Sequence, residues 1–156
     1  MRILKWPHKS LSRKTSKVTN IQEQVIPYID NMKELVSDAR VSSLAANQVG
    51  INRRFFILIS ENSTEPQVLI NPELVDGFGE TVTVETSPSI PSHEFYCPRA
   101  VWIKVKFQNL EGEIVEESFS SFESIAVQHQ IDNLDGQTLA DRSPVKKRSE
   151  IIESKY

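Results

Sequence analysis

The residues best suited to chemistry lie in one short stretch, Gln128-His129-Gln130-Ile131-Asp132-Asn133. His129 and Asn133 are four residues apart, so on a helix they stand one turn above the other on the same face. Gln130 stands beside the histidine. An imidazole can accept a proton, release one or hold a metal. A carboxamide can only donate and accept hydrogen bonds. Taken alone, His129 and Asn133 are a buried polar pair in need of partners, because an unsatisfied buried group costs about 1–3 kcal/mol. One histidine with an asparagine a turn later is not a metal signature, which requires a second histidine and a third strong ligand. The simplest account is a core histidine hydrogen-bonded to Asn133 or to the backbone.

The element that must position these groups is a helix from Ser121 to about Gly136. Phe122, Ile125 and Ala126 form one apolar stripe, with His129 and Asn133 in the middle of it. Val127, Ile131 and Leu134 form a second. A helix apolar on two sides is buried between layers. Another helix is capped by Asn20, with Glu23 as its capping-box partner. Ile21, Val25, Ile29, Met32, Leu35, Val36 and Ala39 keep its period, and Pro27 must kink it or move its start. Val41 to Gly50 reads as a loop of small residues. Strands are expected at Arg54–Ile59, at Gln67–Ile70 up to Asn71-Pro72, and at Gly79–Glu85. Ser87 to Pro91, with two prolines, reads as a turn or edge. Ala100–Phe107 and Ile114–Phe119 form a hairpin around Asn109–Gly112. Strands gathered before one helix predict an α+β fold, with largely antiparallel sheets packed around a central buried helix. Residues 3–18 read as irregular. Ser143 and Pro144 open a short terminal helix with Ile151 and Ile152 as its apolar patch.

The 156 residues, 38% hydrophobic and 25% charged, suit a single domain over 1–156. A net charge of −3 gives no case for nucleic acid or an anionic membrane as partner. Cys97 is the one cysteine, so no internal disulfide forms. That points to a reducing compartment, the cytoplasm or the stroma or matrix of an organelle. Cys97 reads as a packed thiol. No apolar run reaches transmembrane length, and the first residues lack a secretory signal.

Three ordered motifs carry a resemblance. Val41 to Gln48 aligns with a G-x-G-x-A-A-x-Q loop, keeping Leu44, Ala45, Ala46 and Gln48. Glu85-Thr-Ser-Pro-Ser-Ile-Pro91 aligns with E-G-C-L-S-x-P. Gln128-His-Gln-Ile-Asp-Asn-Leu-Asp-Gly136 aligns with Q-H-E-x-D-H-L-x-G. Arg99 and Asp141-Arg-Ser-Pro144 also occupy family positions. The chain therefore resembles the peptide deformylases nearly end to end. The resemblance implies their fold and reaction, hydrolytic removal of formyl from N-terminal formyl-methionine. It implies a metal (Fe, Ni or Zn) held by one cysteine and two histidines, and a glutamate as general base. It also implies a motif-one glutamine that stabilises the developing oxyanion.

The departures fall on that chemistry. The metal-ligand positions hold Ser87, His129 and Asn133, and the glutamate position holds Gln130. The motif-one glycines are Val41 and Ser43, and the motif-two glycine is Thr86. A serine hydroxyl replaces a thiolate poorly, and a carboxamide replaces imidazole weakly. Gln130 cannot take a proton from water. The sequence-based expectation is thus a non-catalytic homologue with no bound metal or other cofactor. Its partners would be N-terminal peptides of nascent chains, or another protein. The alternative is an active deformylase or other amide hydrolase with an altered site, in which Gln48 and His129 serve. By resemblance, Gln48 and Gln130 are the catalytic positions, while Leu44, Pro88, Ile125 and Ala126 line a methionine pocket. That pocket is expected to be narrowed by the Ser43 β-carbon and by Pro88. Lys146-Lys147-Arg148 reads as a solvated helix end.

Overall fold

A computed structural model of the chain describes residues 1–143. The terminal helix expected after Ser143, with Lys146, Lys147, Arg148, Ile151 and Ile152, lies outside the described residues. Among those described, the strands are β1 (Ser43–Ala45), β2 (Phe55–Leu58), β3 (Gln67–Phe78), β4 (Thr81–Ser87), β5 (Ile90–Arg99), β6 (Trp102–Gln108) and β7 (Ile114–Ser120). One antiparallel sheet has the order β1-β2-β3-β6-β7, and β4 and β5 form a separate hairpin.

Strand β2 explains the layering. Phe55, Phe56, Ile57 and Leu58 are all buried, so both faces of the sheet are covered. Phe55 and Ile57 pack with Met32 and Val36 of helix α2 (Ile29–Ala39). Phe56 and Leu58 pack with Val127, Ile131 and Leu134 of helix α3 (Ser121–Leu134). Each such side chain contributes roughly 1.5–3 kcal/mol by leaving water. A third cluster joins Ile90, Phe95 and Cys97 of the hairpin to Leu139 of helix α4 (Leu139–Arg142). Side chains of the hairpin reach α3 from the side away from the five-stranded sheet. The α+β architecture around a central buried helix is therefore present.

Pro27 interrupts the first helix as expected, and three other local expectations are corrected. Pro27 splits the first helix into α1 (Ile21–Gln24), a 3-10 turn (Ile26–Tyr28) and α2; the expected cap is present, with Asn20 Oδ1 accepting from Glu23 N at 3.2 Å. The small-residue loop is instead the edge strand β1 followed by a 3-10 turn over Ala46–Val49. Strand β3 runs on past Asn71-Pro72. There Asn71 has φ 51°, and its side chain accepts from Val18 N at 2.8 Å and donates to Val18 O at 3.0 Å. Those bonds replace the ladder pairing that the proline cannot supply. Strand β5, absent from the sequence reading, carries Pro91 and Pro98 on the two-stranded hairpin, where an edge tolerates them.

The amino-terminal segment is largely irregular, as expected, yet it is tied down along its length. Leu4 N donates to Gln48 O at 2.7 Å, Trp6 N to Ser89 O at 2.7 Å and Thr15 N to Leu134 O at 2.8 Å. It thereby clamps the residues after β1, the β4–β5 turn and the end of α3 together. Gly136 is required at that last junction: its φ is +76°, and a β-carbon there would lie 2.8 Å from Ser12 O.

Candidate active site

Helix α3 and hairpin β4–β5 meet in a buried charge network. Arg99 grips Glu85 with both arms, Nε to Oε2 at 2.7 Å and Nη2 to Oε1 at 2.9 Å. Its Nη1 donates to Asp132 Oδ2 at 2.6 Å. Arg142 Nε stands 3.6 Å from the same oxygen. Burial alone would lower the Arg99 pKa, but hydrogen bonds and charge from Glu85 and Asp132 carry it above the ordinary value. Burial holds the Asp132 carboxyl above its ordinary pKa, against the pull of Arg99 and Arg142.

His129 adjoins this network, with Nδ1 3.5 Å from Glu85 Oε1. Burial pushes its pKa down to about 4; Glu85 opposes the shift and Arg99 adds to it. The ring is therefore neutral at pH 7. Its Nε2 is buried without a hydrogen-bond partner. The expected bond from His129 to Asn133 or to the backbone is not formed. A proton on Nδ1 facing Glu85 leaves the Nε2 lone pair available. Gln128 fixes the helix beside it, accepting from Ala100 N at 2.9 Å and donating to Ala100 O at 2.8 Å.

The substituted positions bond to one another. Asn133 Nδ2 donates to Gln130 Oε1 at 3.1 Å, and Gln130 Nε2 donates to Ser43 Oγ at 2.7 Å. Ser87 Oγ accepts from Ser89 N at 3.1 Å. Gln48 is turned to neighbours, accepting from Ala45 N at 3.0 Å and donating to Ser89 Oγ at 3.1 Å. Asn47 ties α3 from below, donating to Asn133 O at 2.5 Å.

A cleft of about 740 Å³ opens over these groups, lined by Ser43, Val84, Glu85, Pro88, Phe122, Ile125, Ala126, His129 and Gln130 among others. The cleft stays open with Ser43 and Pro88 both on its wall. Pro88, Ile125 and Ala126 line it. Leu44, the central residue of β1, is instead fully buried in the core shared with α2. Gln48, Ser87 and Asn133 lie behind the wall, all nearly buried. Phe122, placed by the helical pattern on the buried stripe, is 59% exposed at the rim. Glu85 and Ser43 were given no chemical role from the sequence, although Glu85 opens motif two and the Ser43 β-carbon was expected at the pocket. Cys97 is buried away from the cleft, and burial pushes its pKa up to about 11.

The family model for polypeptide deformylase matches residues 1–149. The chain belongs to the peptide deformylase family. A peptide deformylase from Hamiltonella defensa is 35% identical over 150 residues, covering 95% of this chain and 88% of that one. The crystal structure of peptide deformylase from Thermotoga maritima superposes with a TM-score of 0.86 at 33% identity, covering 92% of this chain and 97% of that one. A Synechococcus elongatus peptide deformylase in complex with actinonin superposes at TM-score 0.90 over 99% of this chain and 85% of that one; at 23% identity it bears on the fold alone.

Membership corrects the expectation that no Fe, Ni or Zn is bound: the deformylases are metal-dependent, and nothing among the described residues shows the site lost. The unpartnered, neutral His129 Nε2 fits a ligand nitrogen. Thr86 and Pro88, on either side of Ser87, line the same cleft as His129. The donors offered are one imidazole nitrogen, one hydroxyl and one carboxamide oxygen. No group of three His, Cys, Asp or Glu comes together among the described residues. Donors of these types suit a divalent ion of nitrogen and oxygen preference, held less tightly than thiolate donors would hold it.

Proposed function

We propose that this chain is a peptide deformylase acting through an altered site, releasing formate from N-terminal formyl-methionine. The observation that carries the reading is His129 Nε2: neutral, buried and without a partner, on a residue that lines the cleft. A divalent ion held by His129, Ser87 and Asn133 would supply Lewis-acid polarisation and a more acidic bound water. The chain's own residues do the rest. Val84, Pro88, Ile125 and Ala126 take the methionine side chain. Glu85, 3.5 Å from Nδ1, favours the tautomer that leaves Nε2 free. Gln130 orients water by hydrogen bonding but cannot accept its proton. Glu85 is engaged by Arg99, so solvent takes the water proton and returns one to the leaving amine nitrogen as the C–N bond breaks. Loss of a general base makes turnover roughly 10²–10⁴ slower than in a member with the glutamate. The substrates are formylated N-termini of nascent chains, met in the cytoplasm or in an organellar stroma or matrix. No helix among the described residues is long and apolar enough to cross a membrane. The test is formate release from formyl-Met-Ala-Ser by protein loaded in turn with Fe, Ni, Co and Zn. No formate with any of them would sink the proposal.

A second reading rests on a different observation. Both ends of the Gln130 carboxamide are engaged, by Asn133 and by Ser43, as in a site kept for binding rather than turnover. The chain would then recognise formylated N-termini without hydrolysing them. Calorimetry showing tight formyl-peptide binding beside zero formate release would favour it.

A further inference from the structure

We propose that Ser43 is a substrate-binding residue of this chain, whose hydroxyl donates a hydrogen bond to the formyl oxygen; this rests on the deformylase reading above. Ser43 Oγ accepts the Gln130 Nε2 proton at 2.7 Å, so its own O–H must point elsewhere. No acceptor for that proton is found among the described residues, although the side chain lines the cleft together with His129 and Gln130. A hydroxyl held as acceptor on one side is a directed donor on the other.

Two features locate its target. Gln130, at the position that by resemblance holds the general base, lines the cleft with His129, and Ser43 is bonded to it directly. Gln48, which by resemblance would polarise the carbonyl, donates to Ser89 and does not line the cleft. Motif one presents two hydroxyls to the cleft, those of Ser42 and Ser43, and the one bonded to Gln130 is the serine standing where the family has glycine. Its ligand is a neutral carbonyl oxygen: the hydroxyl offers one proton and carries no charge for an anion. The relay Asn133 to Gln130 to Ser43 polarises the hydroxyl and fixes its rotamer.

Calorimetric titration of formyl-Met-Ala-Ser and of unformylated Met-Ala-Ser separates the possibilities. The wild-type protein should prefer the formylated peptide. Ser43→Ala should bind it roughly five- to tenfold more weakly, as expected for one lost hydrogen bond, with unformylated affinity unchanged. Ser43→Thr keeps the hydroxyl and should keep the preference. Gln130→Glu offers a carboxylate that captures the Ser43 proton, so it should weaken formyl-peptide binding although Ser43 is intact. Thermal melts of all variants check that each is folded. Wild-type preference undiminished in Ser43→Ala overturns the assignment to Ser43 alone. A wild-type protein that binds both peptides equally, or neither, overturns the deformylase reading and this proposal with it.

Discussion

Gln130 Nε2 donates to Ser43 Oγ at 2.7 Å, joining a residue at the general-base position to one at a lost glycine. The two departures are therefore a single local arrangement. A carboxylate at position 130 would meet two donors, Asn133 Nδ2 and the Ser43 hydroxyl, and so would be accommodated. Gln130→Glu is expected to leave the melting temperature nearly unchanged. It should raise formate release from formyl-Met-Ala-Ser by about 10²-fold or more, by restoring a proton acceptor. A rate unchanged in the metal-loaded variant would show that proton transfer does not limit this site.

His129 should decide metal retention. Ser87→Cys and Asn133→His each replace a weak donor by a strong one, and each should raise zinc affinity more than roughly tenfold in competition with a chelator. His129→Ala should leave no stoichiometric metal after dialysis, measured by plasma emission. Equal metal in wild type and His129→Ala would place the ion elsewhere.

The same histidine sets a pH dependence in metal-free protein. Its folded pKa, about 4, lies below the ordinary 6.5, so between those values the unfolded chain binds the proton and the folded one does not. Stability from this source is full above pH 6.5 and is lost as pH falls toward 4, by roughly 3 kcal/mol. Urea unfolding at pH 7 and pH 4.5 should show that loss in wild type and a smaller one in His129→Gln. Parallel losses in both proteins would assign the effect to other groups.

Arg99 is the keystone of the junction between hairpin and helix. Arg99→Met removes the partner of two carboxylates, Glu85 and Asp132, that are nearly buried. Removing one member of a buried ionic set costs about 3–5 kcal/mol. Chemical denaturation should register that loss, and one under about 1 kcal/mol would mean that water already reaches the pair.

Gly136 should tolerate no side chain. Gly136→Ala combines a left-handed backbone with a contact 2.8 Å from Ser12 O. The expected cost exceeds about 1 kcal/mol, and the damage should extend to the clamp between Thr15 and Leu134. A melting temperature equal to wild type would show that residues 12–13 can yield.

Much of this was legible in the sequence because it follows from period. The helix around His129, the β6–β7 hairpin and the apolar run Phe55–Leu58 are local patterns, and each forms where the pattern puts it. The split at Pro27 was legible for the same reason. Strand β5 was not, because two prolines mask an edge strand whose pairing is decided by its neighbour β4. The continuation of β3 beyond Pro72 depends on Asn71 bonding to Val18, 53 residues earlier in the chain. Motif and spacing named His129, Pro88, Ile125 and Ala126, and the fold brings these four to one cleft. The partnership of Ser43 with Gln130 spans 87 positions, and that of Arg99 with Asp132 spans 33. Leu44 was misplaced because an edge strand turns alternate side chains inward, and a loop reading cannot say which.

Ser87 and the cleft around it contain no sulfur, and the one thiol of the chain, Cys97, is buried and held protonated. Peroxide attacks exposed thiolates first, converting them to sulfenic and then irreversibly to sulfinic acid. A hydroxyl at position 87 has no such chemistry. Whatever this site gives up in grip on a metal, it is spared that route of oxidative inactivation, and its polypeptide should outlast oxidants that would destroy a thiolate-bearing centre.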